Sequence, residues 1–130
     1  MDWHTYLEKA KGNLKVAQLA LDVEEYDAAV SRAYYSIFQA ELAALLQLTD
    51  YRRKGENWDH GSVHAELNRR LIRQKKVLPI HLASVPQDLI RLRHIADYET
   101  ERMSAKVAHR SFTKAKEFVE TIKKELGENS

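Results

Sequence analysis

The chain reads as an all-α protein, an antiparallel up-and-down four-helix bundle with one additional short helix. Three observations predict this. Apolar residues recur at helical spacing over four long stretches. Only four glycines and two prolines occur in 130 residues, which leaves little turn chemistry for a sheet. The connections between the stretches are modest, and short connections make consecutive helices antiparallel neighbours.

Trp3, Leu7, Leu14, Ala17 and Leu21 set a helical period over 2–22, weakened modestly by Gly12. Asp22 to Glu25 reads as a tight break, with Asp22 as a cap and acids in the next first turn. A second helix then runs from about Glu24 to Leu48. Val30, Ala33, Tyr34, Ile37, Phe38, Leu42, Leu45 and Leu46 cover much of its circumference, so it should be the most buried element. Residues 49–61 are polar, basic and broken by Gly55, which predicts a loop.

A third helix is expected from His60 to about Lys76, with Val63, Leu67, Leu71 and Ile72 inward and Pro79 blocking continuation. The fourth starts near Ser84 with Pro86 in its first turn, and reaches about Arg102. Ser104 caps a fifth that runs to about Gly127 through Val107, Phe112, Ala115, Phe118, Val119 and Ile122. Residues 1–127 thus form a single domain, and 128–130 should fray.

A composition of 44% hydrophobic and 31% charged residues fits a globular protein and excludes global disorder. The absence of cysteine excludes disulfides and thiolate chemistry. No apolar run is long enough to span a bilayer, and Met1-Asp2-Trp3-His4 lacks a signal pattern, so a cytoplasmic protein is expected. The net charge of +2 is unevenly spread. Residues 52–93 carry ten Lys/Arg against four Asp/Glu. That asymmetry points to an anionic partner or to a solvated basic face. Arg69, Arg70, Arg73, Lys75 and Lys76 are the candidate phosphate contacts, with Arg52, Arg53, Lys54 and Trp58 as a loop carrying one stacking ring. The same cluster could dock an acidic protein.

Two helices carry unusual polar residues. Tyr34, Tyr35 and Phe38 have core spacing, yet Arg32 stands close by, and no further charge follows it on the helix until Glu41. A phenol and a guanidinium in apolar surroundings need partners, and Asp97 is the candidate. On the fourth helix Arg91 and Tyr98 are two turns apart on one stripe, so they can border a cleft with Asp97 while Ala96 packs inward. A purely structural network joining the two helices is the alternative. His60 and His64 stand four residues apart, a spacing that can hold a metal but here fits surface or capping roles better. No metal site is assigned. No phosphate loop, nucleophile elbow or coenzyme fingerprint occurs, and no cofactor is expected.

The stretches Ser31-Arg32-Ala33-Tyr34-Tyr35-Ser36-Ile37-Phe38-Gln39-Ala40 and Arg91-Leu92-Arg93-His94-Ile95-Ala96-Asp97-Tyr98 resemble the HEPN superfamily, in particular a prokaryotic branch with a YY…F…A helix and an R…ADY helix. The resemblance extends over nearly the whole chain in helix order and length. It implies a four-helix core, a homodimer, and pairing with a minimal nucleotidyltransferase in a toxin–antitoxin system. In the ribonuclease members an Arg is followed after four to six residues by a His, which together supply phosphate binding and proton transfer. This chain has Ala96 where that histidine would stand, and alanine cannot move a proton.

Two functions follow as expectations. The first is a HEPN-type module that binds RNA or a nucleotide through Arg32, Tyr35, Asp97 and Tyr98 together with Arg91. The second is a metal-independent endoribonuclease, in which Arg91 works with His60 or His94 in place of the missing histidine.

Overall fold

The computed structural model describes residues 2–127; the frayed tail expected at 128–130 lies outside them. Helix α1 spans Trp3–Asp22 and starts under the Asp2 side chain, which accepts from the His4 N–H. Asp22 does not cap the next helix. It closes α1, where Gln18 Nε2 donates to it at 3.0 Å. The chain reverses through Glu24, whose φ of 61° lies in the left-handed region, and Glu25 takes the cap position without a side-chain bond.

Helix α2, Tyr26–Leu48, is the central element and packs against α1, α3, α4 and α5. Ala29, Ala33, Ala40, Ala43 and Ala44 are all buried, and their small side chains let the neighbouring helices approach closely. Large residues between them fill the interior. Tyr34, Ile37, Leu42 and Leu45 are essentially without exposure, and each contributes about 1.5–3 kcal/mol by burial.

The third helix is interrupted. Helix α3 covers only His60–Leu67, with Asp59 as its cap, and Asn68–Gln74 continues as a π-helical segment. Its wider turn is seen in Lys75 N–H, which donates to the Arg70 carbonyl five residues back. Wider winding slows the drift of a four-residue apolar repeat around the axis. Val63, Leu67, Leu71 and Ile72 therefore all stay in the core. After Pro79 a single 3-10 turn, Ile80–Leu82, leads into α4.

Helix α4, Val85–Tyr98, begins at Ser84, which holds the cap position without a side-chain bond, and has Pro86 in its first turn. It stops four residues before Arg102. The chain leaves because Met103 is buried and its N–H donates to the Asp27 carboxylate at the start of α2, 2.9 Å away. Ser104 then caps α5, Ala105–Glu125, by accepting from Val107 N–H. A larger core cluster centres on α2. A smaller one gathers Leu21, Ala29, Val30, Met103 and Ala108, with Leu92, Ile95 and Ala96 packed against it. No strand occurs among the described residues.

Candidate functional site: a tyrosine and histidine cleft

Packing one stripe of α4 into the core fixes what the next stripe does. With Leu89 buried and Leu92 and Ala96 half-buried, Arg93 is turned toward α2. Its guanidinium carbon lies 5.2 Å from the Tyr34 ring centroid, 5.6 Å from that of Tyr35 and 5.9 Å from that of Tyr98. Three aromatic faces hold one planar cation. Asp97, one turn on, approaches Arg93 at 3.7 Å and accepts from Ser31 Oγ of α2 at 3.3 Å. Arg93 Nε itself is buried without a hydrogen-bond partner.

Helix α3 closes the other side. His60 and His64, one turn apart, both reach the Tyr34 hydroxyl: His60 Nδ1 at 2.6 Å and His64 Nε2 at 3.0 Å. The His60 ring also stacks on Phe38, with centroids 3.9 Å apart. Beneath them Glu41 is fully buried, and His64 Nδ1 lies 2.8 Å from Oε1 and 3.0 Å from Oε2. Only the Oε2 contact is a hydrogen bond.

The electrostatics follow from burial. Loss of water pushes the Glu41 carboxyl up, with His64 partly opposing that shift. Burial also raises the Tyr34 hydroxyl, which stays protonated. His60 is held below the ordinary histidine value by burial first, then by the neighbouring His64 and Arg93. The cluster thus has one permanent cation, a half-buried imidazole held toward its neutral form and a set of aromatic faces. Such a set suits an anionic, planar ligand.

The residues singled out in the sequence are distributed unevenly around this cleft. Tyr35 and Asp97 belong to it, and Tyr98 stands at its exposed edge. Arg32 does not. It is exposed and donates to Asn13 of α1 at 3.3 Å. Arg91 is exposed on another side of α4, with no hydrogen bond or ion pair among the described residues. His94 is exposed too, near Tyr98 and 3.9 Å from Glu99. The histidine pair is engaged with Tyr34 and Glu41 rather than set out for a metal, and the described residues contain no group of three ligands.

The basic cluster divides. Arg69 and Arg70 pair with Glu66, and Arg70 also pairs with Asp50. Arg73, Lys75 and Lys76 are exposed without ion pairs among the described residues. Trp58 is half-buried and donates to the Tyr6 hydroxyl at 3.0 Å, which pins the 49–59 connection to α1.

Sequence reading passed over Arg93 and Glu41 as site residues and took His64 for half of a surface or capping pair, whereas it is buried. The available signal was Glu41 itself, the single carboxylate in the apolar stretch 33–46, where a charge must find a partner.

The family model described as "HEPN domain" matches residues 3–126. A protein of Methanocaldococcus jannaschii named "Putative toxin MJ0605" is 30% identical over 122 residues, which cover 94% of this chain and 87% of that protein. No helix of the described residues is long and apolar enough to cross a membrane.

Proposed function

This chain belongs to the HEPN domain family, and from that premise we propose that it is a toxin-like helical module that binds RNA or a nucleotide at the cleft between α2, α3 and α4. It works as a homodimer beside a minimal nucleotidyltransferase partner, in the cytoplasm. The observation that carries the ligand assignment is Arg93, a half-buried guanidinium set among Tyr34, Tyr35 and Tyr98 whose nearest carboxylate, Asp97, stays 3.7 Å away, beyond hydrogen-bond distance. A cation with an unused donor takes a phosphate oxygen, and the exposed Tyr98 ring offers a face for a base. The exposed cations Arg73, Lys75 and Lys76, at the far end of the third helical stretch from His60, supply a separate set of backbone contacts.

The test is binding of a short fluorescent RNA followed by anisotropy in low salt with EDTA. Arg93→Gln is expected to weaken binding by about tenfold to a hundredfold, the range for a lost hydrogen bond to a charged group. Arg91→Ala, on the other side of α4, is expected to change it little. Equal losses in the two variants would remove Arg93 from the site. Sedimentation velocity checks the dimer.

A second reading is the metal-independent endoribonuclease. It is favoured by one observation: His60 and Arg93 meet on the same side chain, His60 Nδ1 lying 2.6 Å from the Tyr34 hydroxyl and the Arg93 guanidinium carbon 5.2 Å from the Tyr34 ring centroid. Cleavage of a mixed RNA pool in EDTA, lost in both His60→Ala and Arg93→Gln, would establish it.

A further inference from the structure

Glu41, His64, Tyr34 and His60 form one hydrogen-bonded chain that runs from the core to the cleft. Its inner three members are shut off from solvent, with Glu41 and Tyr34 at 0% exposure and His64 at 4%. Two imidazole nitrogens meet at the Tyr34 oxygen, at 2.6 and 3.0 Å. A hydroxyl carries one proton. It must therefore accept from one histidine and donate to the other, and the direction sets which nitrogen of His60 bears hydrogen.

The buried end decides the direction. A bare carboxylate facing a neutral imidazole would leave a net charge in the core, at a cost of several kcal/mol. The Glu41–His64 pair is therefore neutral as a unit, either as acid and imidazole or as carboxylate and imidazolium. An acid donating to Nδ1 and a carboxylate accepting from it both place a hydrogen on His64 Nε2, and the remaining neutral form, with Nδ1–H donating to Oε2, would strand a buried O–H on the partnerless Oε1. His64 Nε2–H then donates to the Tyr34 oxygen, and the Tyr34 O–H donates to His60 Nδ1. That leaves the His60 hydrogen on Nε2, the ring nitrogen not engaged by Tyr34.

We infer that Glu41 and His64 act through Tyr34 as positioning residues that hold His60 in its neutral Nε2–H form, so that His60 presents an N–H donor beside Arg93 to a phosphate oxygen. The inference rests on reading the cleft as a phosphate site. It adds that His60 is a donor to the ligand, with no free lone pair to act as a base. Protonating His60 at Nδ1 would strand the Tyr34 hydrogen, since that oxygen already accepts from His64. The charged and titratable groups facing His60 act in the same direction: His64 on α3 and Arg93 on α4 disfavour its cation, with Asp59 the weaker opposing charge.

The test reads the imidazole nitrogens directly, by long-range proton–nitrogen NMR on the uniformly labelled protein at neutral pH. His60 is expected to show a protonated Nε2 and a hydrogen-bond-accepting Nδ1. In Tyr34→Phe the acceptor signature is lost and the His60 titration midpoint moves upward, because nothing donates to Nδ1. Glu41→Gln is expected to keep the wild-type His60 pattern, since its amide N–H can donate to His64 Nδ1 as the neutral acid does. It also serves where Tyr34→Phe fails to fold. A bare Nε2 on His60, or an unchanged midpoint in a folded Tyr34→Phe, overturns the inference. Inorganic phosphate is the ligand probe. It should perturb the His60 Nε2–H signal and bind about three- to tenfold more weakly to Tyr34→Phe. Absence of any phosphate effect beside the expected nitrogen pattern would sink the phosphate reading and leave the hydrogen-bond chain supported.

Discussion

His64 Nδ1 of α3 lies 2.8 Å from Glu41 Oε1 of α2, with both side chains closed to solvent and the two residues 23 apart in sequence. A buried pair of this kind adds little when intact and costs much when halved. His64→Ala is expected to destabilise the fold by about 3–5 kcal/mol, because Glu41 is left buried without a partner. The double variant Glu41→Leu/His64→Leu should lose less than the summed single losses. Urea unfolding of the parent, Glu41→Leu, His64→Leu and the double variant measures this. Additive losses would show that the two side chains do not compensate one another.

The pH dependence of stability has a definite sign at His60. Its folded value lies below the ordinary 6.5, so between the two values the unfolded chain holds more protons than the folded one. Stability from this group is present above 6.5 and is lost as the pH falls through that window. His60→Gln should therefore unfold with a flatter pH profile just below 6.5 than the parent. Thermal unfolding across pH 5 to 8 checks it, and superimposable profiles would contradict the assignment.

Ala96 is half-buried on α4 and packs against the smaller core cluster of Leu21, Val30 and Met103. Ala96→His, which introduces the histidine typical of the ribonuclease members, must push that cluster apart. A loss of about 1–3 kcal/mol is expected from overpacking. A variant as stable as the parent would mean that position 96 has room for an imidazole.

The basic cluster should act unequally on RNA. Arg69 and Arg70 are already committed to Glu66 and Asp50, whereas Arg73, Lys75 and Lys76 are unpaired. Changing the last three to alanine is expected to lower the salt slope of RNA binding by about 2, at roughly 0.7 per single-strand phosphate contact. Arg70→Ala should change the slope much less. The measurement is affinity over a range of salt concentrations, and an unchanged slope in the triple variant would place RNA elsewhere.

Helix order, the dominance of α2 and the inward faces of α3 and α5 could be read from the sequence, because a period of 3.6 residues ties apolar spacing to one buried side. The Ser104 cap was legible for the same local reason. Where helices end was less so. Helix α4 stops at Tyr98 because Met103 and Asp27 meet across the fold, and α3 widens into a π-helical turn to keep Leu71 and Ile72 in the core.

The family was also determined by the sequence alone, through the Tyr34-Tyr35 and Ala96-Asp97-Tyr98 motifs. The membership of the cleft was decided by the tertiary structure. Arg91 and Arg93 differ by two places, about 200° around a helix, and only the packing of Leu89 and Ala96 chooses which guanidinium meets the tyrosines. Glu41, His64 and His60 join Tyr34 for the same kind of reason. A buried polar group needs a partner, but the partner's identity is a long-range contact that no local pattern encodes.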